Sequence, residues 1–214
     1  MEAMALIPAL LLNCIIAALE LFVLTKVADK KDILKYYTYL SNAIALISSA
    51  VFAVVTCVNL CCGGITPLWL KGLRFCATYM LVTTMFVFSV ILRPRNQSEN
   101  LITDSDFTAG IDPRTANLLL HYLCPAISAC SFLLLERQPV LTGSEWTLYG
   151  ALPTIVYWSV YLLLTATNLW KDPYGLSEEN PGTSSKADIL LFLLIPVFSM
   201  GLDYLLWWIN TLPF

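Results

Sequence analysis

Charge, glycine and proline divide this chain into six apolar stretches, at residues 4–26, 35–60, 68–92, 114–135, 145–170 and 187–212. Each reaches the length of about 20 residues that a helix needs to cross roughly 30 Å of hydrocarbon. In lipid every backbone N–H and C=O has to be satisfied within its own segment, which confines such stretches to helices. The expected fold is an all-α integral membrane protein, one six-helix transmembrane bundle with short loops over residues 1–214. Composition agrees: 58% of residues are hydrophobic and 13% charged, against roughly 25% charged in soluble domains.

The opening "MEAMALIPALLLNC" has no positive leading segment and no small-residue cleavage site before its apolar run reaches spanning length. It is therefore expected to be a retained first span and not a signal peptide. Helix starts are marked by an Asp112 cap before Pro113, and by capping boxes at Thr142–Glu145 and Ser185–Asp188. Loops one, three and five carry the charge, while loops two and four are short. Lys26, Lys30, Lys31, Lys35, Arg93, Arg95, Arg114, Lys171 and Lys186 fall on one side, against Lys71, Arg74 and Arg137 on the other. The positive-inside rule then puts loops one, three and five in the cytoplasm and both termini outside, in a cell membrane. With that topology the sequon at Asn96 stays unglycosylated.

A net charge of −3 gives no basic surface for nucleic acid. The seven cysteines show no zinc spacing, and no metal or other cofactor is expected. Most of the cysteines fit as small apolar packing groups, whereas the Cys61–Cys62 pair at a helix end is open to lipidation or a disulfide.

Ionisable groups inside spans are expensive and usually face the bundle interior. Glu20 lies about 9 Å from the loop-one end of its helix and His121 about 10 Å from the loop-three end of its own, at similar depth. Arg74 and Asp203 fall near the opposite leaflet, where a buried structural ion pair between them is expected. In the second span Thr38, Ser41, Asn42, Ala45, Ser49 and Thr56 follow helical spacing along one stripe. The fourth span matches it with Asn117, His121, Cys124, Ser128 and Ser131. Such faces pack on other helices, so a hydroxyl and an imidazole are expected near one another. Taken singly, each residue also has a plain structural reading: a threonine bonding back to its own helix, a histidine in packing, a paired glutamate.

"YTYLSN" opening the second span, "HYLCP" in the fourth and "WKDPYGL" after the fifth resemble the androgen-induced membrane hydrolase family, and most closely its bacterial six-helix relatives. In animal members an intramembrane threonine and histidine hydrolyse fatty acid esters of hydroxy fatty acids. The match implies Thr38 as nucleophile and His121 as general base on a fatty-acyl ester drawn from the membrane. Asn42 or Asn117 is then expected to stabilise the oxyanion, and Glu20 to orient the imidazole. Relatives are richer in Tyr, Pro and Phe after the fifth helix, where this chain has Pro173 and Tyr174, so the substrate is less constrained than the fold. Two other readings compete: a non-catalytic lipid-binding or assembly protein, and a small transporter lined by Glu20, Arg74, His121 and Asp203.

Overall fold

The computed structural model describes residues 3–26, 35–92, 111–136, 143–170 and 185–212, and every regular element among them is helical. Helix α1 is Ala3–Thr25 and α2 is Tyr37–Cys62. Helix α3 is Leu68–Val87, prolonged by a π-helical turn at Phe88–Leu92. Helix α4 is composite, with Pro113–Leu118, a π turn at Leu119–Leu123, Cys124–Cys130, and a second π turn at Ser131–Leu135. Helices α5 and α6 are Glu145–Ala166 and Ser185–Thr211. Helices α1 to α5 are each long and apolar enough to cross a membrane.

Several ends have identifiable causes. Asp112 caps α4 as expected, its Oδ2 accepting from the Thr115 N–H at 3.0 Å, with Pro113 in the first turn. Helix α2 runs through Cys62, two residues past the expected end, and stops where Gly63 turns left-handed at φ 74, a conformation that costs glycine nothing. Helix α5 stops at Ala166, four residues before the expected end. There Asn168 takes φ 56, and the N–H groups of Asn168 and Leu169 return to the carbonyls of Thr165 and Leu164, a closed helix C-terminus that asparagine tolerates. Ser144 stands at the α5 N-cap without a side-chain bond; Thr142 lies outside the described residues. So do Asn96, most of the loop charges used for orientation, and the side chains of Ser185–Asp188.

The first π turn of α4 follows from Pro125. Proline has no N–H to give the carbonyl four residues back, that of His121, and its ring crowds that carbonyl. The helix widens ahead of it, and the N–H of Cys124 bonds the Leu119 carbonyl five residues back. The extra residue rotates the N-terminal piece, and Leu119, about 160° around the helix from the Asn117–His121 stripe, is buried.

Two clusters fix the alternating direction of the first four helices. Val23 near the end of α1, Tyr39 at the start of α2, and Leu119 and Leu120 early in α4 pack together. At the opposite end Ala9 packs with Phe52 and Leu70, and Leu135 closes on them. A third, aromatic cluster (Phe75, Tyr79, Tyr157, Trp158 and Tyr161, with Ile195 and Leu206) joins α3 to α5 and α6. The outer surface carries Ile7, Leu11, Val54, Leu148, Leu163 and Val197, all more than half exposed, while Asn13, Glu20, Asn42, Arg74 and Asp203 are fully buried. Apolar outside and polar inside is the distribution a hydrocarbon solvent selects.

Candidate functional site

The interior enclosed by α1, α2, α3 and α4 is layered. At the loop-one end lie Glu20, Asn42 and His121, all buried. Both Glu20 oxygens, the Asn42 Oδ1 and the His121 Nδ1 have no hydrogen-bond partner among the described residues. The Cys124 thiol lies beside the Glu20 carboxylate. The His121 ring stacks on Phe88 of α3, with centroids 3.8 Å apart and planes 11° from parallel. Both sit in π turns, a feature common at functional sites. Below them Ser41 and Thr84 share a hydrogen bond of 2.8 Å between α2 and α3.

Thr38 is half-buried in the first turn of α2. At about 100° per residue it falls in the middle of the inward stripe, with Asn42 and Ala45 within about 40° of it around the helix. Its backbone carbonyl is held by the Ser41 hydroxyl at 2.9 Å and by the Asn42 amide at 2.6 Å. That bond engages the Asn42 Nδ2 and turns its Oδ1, an acceptor, to the interior. Thr38, Glu20 and His121 each adjoin a member of one cluster, next to Tyr39, Leu19 and Leu120, so they occupy one end of the bundle. No hydrogen bond joins any two of the three. Asn117, half-buried one turn before His121, shares its face of α4.

A thin apolar layer of Ala45, Ala77 and Leu81 follows. Beyond it is a closed polar network. Arg74 holds Glu136 through Nε to Oε2 at 3.0 Å and Nη2 to Oε1 at 2.9 Å, and its Nη1 donates to Ser49 at 3.0 Å. Glu136 Oε1 also accepts from Asn13 at 2.8 Å and Ser131 at 2.6 Å. Thr78 and Ser128 share a bond of 2.9 Å.

The expected Arg74–Asp203 pair is therefore replaced by Arg74–Glu136. Along α3, Arg74 and Thr78 face α2 and α4, whereas Cys76 and Tyr79 face Asp203 from the other side of the helix. Positions 74 and 76 differ by about 200° of rotation, so Arg74 points away from Asp203. Glu136, at the boundary of a span and a loop, reaches back into the bundle because the second π turn closes on it, its N–H bonding Ser131 O at 2.9 Å. Asp203 is fully buried and its oxygens accept no hydrogen bond among the described residues.

All seven cysteines are free thiols, with Cys61 and Cys62 exposed at the end of α2. Among the described residues no three His, Cys, Asp or Glu converge as a metal site.

No family model, curated protein or solved structure matches this chain. The chemistry of the site therefore rests on its own geometry. Asn13, Thr78, Thr84 and Glu136 are the interior polar groups that spacing alone overlooked; the signal for Asn13 was its place in a leucine run, two turns before Glu20 on the same face.

Proposed function

We propose that the protein is an intramembrane lipid-ester hydrolase, six helices across the membrane with loops one, three and five on the cytoplasmic side, acting at the loop-one end of the α1–α4 interior. The observation that carries this reading is a buried imidazole with an unpartnered nitrogen, at the same end of the bundle as a half-exposed threonine on the inward face of α2. In a hydrocarbon environment an orphaned polar atom is costly, and its retention is expected where a substrate or water completes it.

In this reading a fatty-acyl ester enters from the membrane and lies between Thr38 and His121. Neutral His121 takes the proton of the Thr38 hydroxyl as that oxygen attacks the ester carbonyl. The proton passes to the leaving alkoxide, an acyl-threonine remains, and water activated by the same imidazole releases the acid. Asn42, bound to the Thr38 carbonyl, holds the first turn of α2 in place. Asn117, one turn before His121, is the candidate donor to the oxyanion, a role worth about 3–4 kcal/mol when well aligned. Glu20 beside Cys124 adds polarity to the site without a hydrogen bond to the imidazole. Among the described residues the apolar layer of Ala45, Ala77 and Leu81 lies between His121 and the Arg74 network, which counts against a transporter.

Labelling of purified protein with a fluorophosphonate, alongside release of acid from a fatty-acyl ester in detergent, tests the assignment. Both should be lost in Thr38→Ala, and His121→Gln should slow both by at least about a hundredfold, as expected for removal of a general base. Labelling that persists in Thr38→Ala would overturn the nucleophile.

A further inference from the structure

Helix α5 packs on α3 and α6 through the aromatic cluster, and it also grips the start of α2. The Tyr157 hydroxyl donates to the Lys35 carbonyl at 2.7 Å, and the hydroxyls of Tyr37 and Thr154 share a bond of 2.6 Å. The two tyrosine rings pack with centroids 5.1 Å apart. Tyr37, Thr154 and Tyr157 are all buried. Thr38 is therefore bracketed, because the backbone three residues before it and the side chain immediately before it are both tied to α5.

Apolar packing does not ask for these hydroxyls. Phenylalanine would fill either ring's place, whereas a buried tyrosine hydroxyl has to find a partner. Both bonds end on the first turn of α2, the part of a helix that frays most readily because its leading N–H groups have no partner one turn back. Tyr36 at the N-cap supplies no side-chain capping bond, so the hold on this turn comes from α5. Successive residues stand about 100° apart around a helix. With Tyr37 drawn to α5, and Tyr39 packed with Val23 of α1 and Leu119 and Leu120 of α4, Thr38 points between them.

We propose that Tyr37, Thr154 and Tyr157 are positioning residues for Thr38: their hydrogen bonds fix the height and rotation of the first α2 turn, and so hold the Thr38 hydroxyl toward His121. This rests on the reading of Thr38 as the nucleophile. The three act through the α2 backbone and take no part in the bond changes. Misplacing a reacting group by about 1 Å costs up to about a hundredfold in rate, so their loss falls on kcat and not on KM.

The test uses the full chain in detergent with a fatty-acyl ester. Tyr157→Phe and Tyr37→Phe, which keep the rings, should each lower kcat about tenfold or more with KM within twofold. Thr154→Val should copy Tyr37→Phe, Thr154→Ser should stay near native, and the Tyr37→Phe, Thr154→Val pair should be no worse than either alone, since both remove one bond. A second readout does not need catalysis: in Thr38→Cys, maleimide modification at position 38, measured by peptide mass against exposed Cys61, should change at least threefold on adding Tyr157→Phe. An active native protein whose kcat is unmoved by Tyr157→Phe, or whose KM rises instead, overturns the assignment. If the native protein releases no acid, the hydrolase reading fails by itself and the position-38 ratio decides the clamp, an unchanged ratio overturning it.

Discussion

Arg74 and Glu136 show how one buried ion pair can hold four helices together. The guanidinium and carboxylate are paired at two points, and each is further engaged by Ser49, Asn13 or Ser131. Replacing both partners by apolar groups can be nearly neutral, but removing one leaves the other charge buried and alone. Arg74→Leu is expected to cost about 3–5 kcal/mol in reversible unfolding, and adding Glu136→Leu to recover a large part of it. A single mutant as stable as the native protein would mean that the network is solvated. At the other end, His121 is the only histidine, so its imidazole resonances can be assigned without ambiguity. Stacked on Phe88, they should be shifted upfield by the ring, and Phe88→Leu should return them to ordinary positions.

Two helix features act through backbone geometry. The π turn at Leu119–Leu123 follows from Pro125 withholding an N–H from the His121 carbonyl. Pro125→Ala supplies it, so α4 is expected to close into a regular helix and rotate His121 off Phe88. The imidazole shift and the rate of fluorophosphonate labelling should then change together, without loss of thermal stability; an unmoved imidazole would show that packing alone holds the wide turn. On α5, Gly150 lets the helix approach Asp203. A methyl there would collide with Asp203 Oδ1 and stand 2.6 Å from Phe75. Gly150→Ala should destabilise by about 1–3 kcal/mol through overpacking, with much of the loss recovered in combination with Asp203→Ala.

At the scale of the whole molecule, the six apolar stretches announce six helices, the form that apolar stretches of such length are expected to take in a hydrocarbon solvent. The inward stripes of α2 and α4 were equally legible: Ser41, Asn42, Ala45, Ser49, Cys124, Ser128 and Ser131 are buried as their 3.6-residue period requires. Pairing was not legible. Arg74 and Asp203 share a depth, but depth is a one-dimensional coordinate, and the rotation of α3 sends Arg74 to Glu136 instead. Sequence by itself thus determined the helices and the inward stripes of α2 and α4, consequences of local hydrophobicity and period. Tertiary structure alone decided which inward groups meet and which are left without partners, because those depend on helix rotation and on π turns that shift the register by a single residue.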